Sequence, residues 1–145
     1  MLTGSCLCGD IRYQVAADLG PMGHCHCRTC QKAHAAAFAT TARVAREYFA
    51  WIQGEGNLAH FESTPGKKRF FCPRCGTHLV AAWNDAPHVI VRVGSLDSDP
   101  GARPVAHIWT SQKAHWYEIT DGLPQHAESP NFSSGARLAE TRSNP

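Results

Sequence analysis

Cys72-Pro73-Arg74-Cys75-Gly76 sets two thiols three positions apart across a tight turn. The glycine behind them accepts the left-handed backbone that such a turn requires. A turn of this kind aims both sulfurs at one point, and its backbone amides can donate to thiolates. This is the sequence form of a zinc knuckle, which provides two of the four ligands of a closed zinc site. The other ligands must come from elsewhere in the chain. The remaining cysteines are Cys6 and Cys8, then Cys25, Cys27 and Cys30, which makes seven in all. Thiols this close in sequence do not easily form relaxed disulfides, but they converge readily on an ion. Seven divides into four for a closed site and three for a site with an exchangeable position. The expectation is two zinc ions per chain.

Spacing leaves two partitions open. Cys6 and Cys8 can complete the knuckle and leave Cys25, Cys27 and Cys30 as the open site. Equally, Cys27 and Cys30 can complete it and leave Cys6, Cys8 and Cys25. The first is favoured on local grounds, because Cys25 to Cys30 is a six-residue segment able to wrap one ion unaided. A Cys-x-Cys pair lacks that independence and gains most by meeting the knuckle.

Around these clusters the pattern is of short strands punctuated by glycine and proline. Ile11 to Val15 alternates apolar and polar residues, as a strand with one buried face does. Arg69 to Phe71, Thr77 to Trp83 and His88 to Val93 read similarly, the last rich in β-branched residues. Weaker candidates are Ala37 to Thr41, Tyr48 to Ile52, Leu58 to Glu62 and Val105 to Trp109. Helix is expected only for a turn or two after Cys27 and around Arg43 to Tyr48. The fold class is all-β or β-dominated. At 145 residues the chain suits one domain able to bury roughly 70% of its unfolded surface. That domain is expected over residues 1–126. Residues 127–145 turn to Ser, Asn, Gly, Pro and charged residues and read as a poorly ordered or loosely docked tail.

The bulk numbers exclude several partners. Lys and Arg number 14 against 12 Asp and Glu, a net charge of +2, so nothing points to nucleic acid. The only basic run, Lys67-Lys68-Arg69, reads as a solvated strand end. No stretch approaches the roughly 20 apolar residues of a membrane span, and the first residues have no signal-peptide pattern. An odd number of clustered thiols suits a reducing compartment, so the cytoplasm is expected.

Four separated segments carry a family resemblance. Gly4-Ser5-Cys6-Leu7-Cys8-Gly9 with Ile11-Arg12-Tyr13, then Cys25-His26-Cys27-Arg28-Thr29-Cys30-Gln31-Lys32, then Phe71-Cys72-Pro73-Arg74-Cys75-Gly76-Thr77, then Gly94-Ser95-Leu96-Asp97 resemble the glutathione-dependent formaldehyde-activating (GFA, or CENP-V/GFA) family. The resemblance runs from about Gly4 to Gln125. It implies a β-rich, Mss4-like β-tent and a carbon-sulfur lyase that forms or cleaves S-hydroxymethylglutathione from glutathione and formaldehyde. It also implies a structural zinc at Cys6, Cys8, Cys72 and Cys75 and a catalytic zinc at Cys25, Cys27 and Cys30.

The donor set agrees with thiol chemistry. Three thiolates around Zn²⁺ leave a charge of about −1 and a blunted Lewis acid. Such a centre suits exchange of one soft ligand for another better than hydrolysis, and it holds an incoming thiol as thiolate. Arg28 and Lys32, within and beside the trio, are the candidate partners for the carboxylates of the thiol. His34, four residues after Cys30, is a candidate fourth ligand where the family commonly shows a glycine-containing turn. His26 alternates away from the thiols, Trp109 and Trp116 read as core or rim aromatics, and Lys113 is a further candidate for a carboxylate. Two rivals remain: a non-enzymatic carrier of glutathione or another thiol, and a structural interaction module in which both metals serve the fold.

Overall fold

Val89 and Val91 alternate with His88, Ile90 and Arg92, and that two-residue period organises the larger of two sheets. The structure is a computed structural model and describes residues 1–130. A three-stranded sheet runs in the order β1 (Leu2–Ser5), β2 (Arg12–Val15), β5 (Phe49–Gln53). The seven-stranded sheet runs β10 (Pro104–Ile108), β3 (Met22–Cys25), β4 (Ala39–Ala45), β9 (His88–Arg92), β8 (His78–Trp83), β7 (Lys67–Phe71), β6 (Ala59–Thr64). Every pairing is antiparallel except β10 with β3. One α-helix, α1 (Arg28–His34), follows β3 directly.

The pleat sorts side chains by face. On one face of the large sheet, Val44, Val80, Ala82, Val89 and Val91 form a core with Ile11, Tyr13 and Val15 of the small-sheet region. Tyr13, Ile11 and Val15 have no exposed surface, and each such burial contributes about 1.5–3 kcal/mol. Phe49 and Trp51 close the cluster against Tyr13, with ring centroids 5.3 and 6.0 Å from it. The other face is polar in register. Lys67 stands opposite Trp83 and Arg69 opposite Ala81; Ala81 meets Ile90, and Ile90 meets Arg43. Two positions along, Arg92 stands opposite Thr41 and Thr41 opposite Gly23.

The β-dominated expectation holds, with differences in the elements. Leu2–Ser5 and Met22–Cys25 are strands that show no alternation in sequence, each weakened locally by a glycine. The helix expected at Arg43 to Tyr48 is absent: β4 continues to Ala45, and only Arg46–Tyr48 forms a 3-10 turn. Val44 pairs with Val89 and is buried, so tertiary pairing overrides local preference there. The strand expected to reach Trp109 stops at Ile108, because Trp109 takes a left-handed backbone with φ of 57°. Of the expected tail, residues 131–145 lie outside the described residues. The preceding stretch bonds back to the body: His107 donates through its amide to Pro124 O at 2.8 Å, and Ser111 to Ala127 O at 3.2 Å. Among the described residues no helix is long and apolar enough to cross a membrane.

Candidate functional site

Two turns from different sheets bring four thiols together. Cys6 and Cys8 sit in the connection from β1 to β2, and Cys72 and Cys75 in the connection from β7 to β8. Their sulfurs lie within 4.8 Å of one another, with Cys6 to Cys8 at 3.5 Å and Cys8 to Cys72 at 3.7 Å. A tetrahedron of sulfurs about 2.3 Å from a zinc has edges of about 3.8 Å, so the spacing fits a bound metal. Backbone and side-chain donors support the thiolates. The Ile11 amide donates to Cys6 Sγ at 3.3 Å, and the Thr77 hydroxyl, 3.2 Å from Cys75 Sγ, leads in pulling that thiol down to about 5. Gly76, at φ of 74°, lets its amide close the knuckle on Cys72 O at 2.8 Å.

The second set, Cys25, Cys27 and Cys30, also has its sulfurs within 4.8 Å of one another. Cys25 ends β3 between Ala39 and Ile108 of the neighbouring strands. Cys27 caps α1, its sulfur accepting from the Cys30 amide at 3.3 Å. Both sets can hold a metal ion.

The segment that carries this trio is braced from behind. His26 is fully buried and its Nε2 lies 2.8 Å from His107 Nδ1, whose Nε2 in turn lies 3.0 Å from Asp121. The Gln31 amide nitrogen donates to His26 O at 2.6 Å and to Gln112 O at 2.8 Å. Burial, with His107 adding, pulls His26 down to about 4, so it stays neutral near pH 7.

Contacts from Cys25 and Cys27, aided by Arg92 and Arg69, hold Cys30 well below the ordinary thiol range. Cys25 is pushed up by its own sulfur neighbours, Cys27 and Cys30, and by burial. Arg69, 4% exposed, donates from Nη1 to Cys30 Sγ at 3.8 Å and from Nε to Ser63 Oγ at 2.9 Å. Arg92 is 5% exposed. Its guanidinium makes no hydrogen bond among the described residues, and burial holds it below its usual value.

A cavity of about 330 Å³ opens beside the three thiols. Arg43, Lys67, Arg69 and Arg92 line it from the polar face of the large sheet, and Trp83 and Trp109 add aromatic walls. Lys67-Lys68-Arg69 is therefore more than a solvated strand end: Arg69 is buried and Lys67 half-buried. Alternation carries the signal that was missed, since Lys67-x-Arg69 and Ile90-x-Arg92 put their side chains on one face of their strands.

Other candidates fall elsewhere. Arg28 and Lys32 are exposed on α1 and neither lines the cavity. Arg28 donates from Nη1 to Gln31 Oε1 at 2.7 Å. His34 does not join the thiol trio; with His78 it lines a second cavity of about 400 Å³, the two ring centroids 5.0 Å apart. Lys113 bonds to the carbonyls of Ala114 and Tyr117, while Trp116 is 73% exposed.

A family profile described as GFA, glutathione-dependent formaldehyde-activating enzyme, matches residues 1–112. The chain belongs to that family. A GFA-type relative from Halomonas elongata, named "Putative glutathione-dependent formaldehyde-activating enzyme", is 27% identical over 131 residues, covering 82% of this chain and 81% of the relative. Among solved structures, a Rhodobacter sphaeroides protein superposes with a TM-score of 0.54 at 23% identity, over 67% of this chain and 89% of its own. That likeness concerns the fold. The GFA match spans both thiol sets and the four cavity cations.

Proposed function

We propose that this GFA-family chain is a zinc-dependent carbon-sulfur lyase that joins a glutathione-like thiol to formaldehyde, and separates the two, at Cys25, Cys27 and Cys30. The observation that carries the reading is a three-thiol cluster opening onto a cation-lined cavity. Cys6, Cys8, Cys72 and Cys75 would hold a structural zinc. Zinc at the trio would supply one exchangeable coordination position, where an incoming thiol can give up its proton. In the reaction the thiol sulfur bonds to the carbonyl carbon, the C=O π pair moves to oxygen, and that oxygen takes up the proton the thiol released. The product is a hydroxymethyl thioether, and no oxidant or reductant is consumed.

The chain's own groups prepare this step. Three thiolates with one Zn²⁺ carry about one negative charge, and Arg69 at 3.8 Å from Cys30 Sγ offsets it. The His26–His107–Asp121 chain and Gln31 fix the segment that presents the sulfurs. Trp83 and Trp109 add apolar surface to the cavity wall. The clustered free thiols also favour a reducing, cytoplasmic setting.

The test begins with zinc per chain on protein purified without chelator, before and after excess glutathione, followed by the rate of adduct formation with formaldehyde. Two zincs, one of them perturbed by glutathione, and a faster reaction are expected. Saturable thiol binding without acceleration would make the protein a carrier, and a single zinc indifferent to glutathione would make it an interaction module. Cys27→Ser should lose the second zinc and thiol binding yet stay folded, because serine can replace the sulfur as the helix cap. Thiol binding retained by that variant would sink the assignment.

A further inference from the structure

Among the described residues, every side chain with a permanent charge along the 330 Å³ cavity is a cation: Arg43, Lys67, Arg69 and Arg92. No carboxylate of the described residues lines the cavity with them. Among the described residues the ion pairs are Arg74–Asp10 and Arg103–Asp99, and Asp121 is hydrogen-bonded with His107, all away from this wall. Arg69 is committed to Ser63 and Cys30. Arg92 has no such commitment, although a buried guanidinium without a partner is costly. Lys67 has only the face of Trp83, 5.2 Å from its Nζ to the ring centroid. Its ammonium is held below the ordinary lysine value, first by burial and then by Arg69 and Arg92.

Charge balance narrows what enters. With a metal at the trio, about one negative charge faces four positive ones. A neutral thiol would leave that excess in place, and a cationic thiol would add to it. A carboxylate near Arg92 would accept from a guanidinium that has no partner among the described residues, in a site where charge-assisted bonds are strong. Alternation along β7 and β9 puts Lys67, Arg69 and Arg92 on the cavity face with Cys25 of β3 at its end.

We infer that the cavity selects its thiol by charge, with Arg92 and Lys67 taking a carboxylate of the thiol while Arg69 stays with Cys30. The inference rests on the thiol-handling reading above. It assigns the carboxylate to residues of β7 and β9, whereas Arg28 and Lys32 remain solvent-facing on α1.

The test is calorimetric titration of the zinc-loaded chain at low salt with 3-mercaptopropionate, 2-mercaptoethanol and cysteamine, which carry a negative, neutral and positive group beside the thiol. Tighter binding of 3-mercaptopropionate than 2-mercaptoethanol by about tenfold or more is expected, the effect of one charge-assisted contact. Cysteamine should bind most weakly. Thiol acidity alone would favour cysteamine, so the order reports charge. The preference should shrink on adding salt and in Lys67→Met and Arg92→Gln. Lys67→Met decides the matter if Arg92→Gln fails to fold, since Lys67 is half-buried and methionine keeps most of its volume. Equal affinity for the three thiols, or an undiminished preference in Lys67→Met, would overturn charge selection and leave thiol handling intact. Failure of all three to bind would instead overturn the thiol-handling reading itself.

Discussion

Gly4 lies against the Tyr13 ring so closely that a Cβ at that position would overlap the ring atoms. Tyr13 cannot retreat, because it has no exposed surface and its hydroxyl lies 2.7 Å from Ser95 Oγ. Ser95 Oγ in turn donates to Arg92 O at 2.7 Å, so the packing of one glycine reaches the backbone of a cavity arginine. Gly4→Ala is expected to cost about 2–3 kcal/mol by overpacking. Gly56, with nothing within 4 Å of its would-be Cβ, is the control, and Gly56→Ala should change stability by no more than about 0.5 kcal/mol. Thermal midpoints of the two variants decide it, and equal shifts would refute the close approach at Gly4.

At the scale of elements, α1 spans seven residues, far too short to persist alone. The Cys27 cap and the two bonds from Gln31 hold it in place. Its last residue, His34, is pulled down to about 4 by burial, then by Arg92 and His78, and its Nε2 has no partner among the described residues. The unfolded chain therefore takes up a proton near pH 6.5 that the folded chain refuses until about pH 4. Stability from this group is complete above pH 6.5 and is lost as pH falls toward 4. His34→Gln should flatten that part of the pH–stability curve by about 1–2 kcal/mol, discounted for partial solvent access. Chemical denaturation of both proteins at pH 7 and pH 5, at equal metal content, checks it. Parallel curves would show that His34 titrates normally.

Legibility followed the same scale. The thiol clusters, the turn after Cys27 and the strands with alternating or β-branched residues were readable because their signals are local. β3 was not, since Met22-Gly23-His24-Cys25 owes its strand to neighbours on both sides, Ala39 to Ala42 and Pro104 to Ile108. The cavity cations were hidden for a related reason. Lys67 and Arg92 are far apart in sequence, and only strand order brings them to one face.

Across the whole molecule, the thiol quartet gathers cysteines from the connections of both sheets. Cys6 and Cys8 leave the three-stranded sheet, Cys72 and Cys75 leave the seven-stranded one, and Cys8 and Cys72 are 64 positions apart. A metal held there would resist separation of the sheets, whereas the trio lies within one six-residue segment. Cys72→Ser should therefore lower the melting midpoint far more than Cys27→Ser, since closed structural sites contribute on the order of 10 kcal/mol in small domains. Melting curves with metal analysis on both variants test this, and similar losses would mean that the two sets share the structural task. The bonded stretch after Leu123 has a further consequence. Pro124 O accepts from the His107 amide at 2.8 Å, and the His126 amide donates to His107 O at 2.9 Å, so this stretch covers the outer side of β10. A chain shortened to end at Leu123 would bare that row of amides and carbonyls, and open strand edges recruit one another. Such a protein should self-associate in a concentration-dependent way on gel filtration, so the closing segment guards solubility as well as shape.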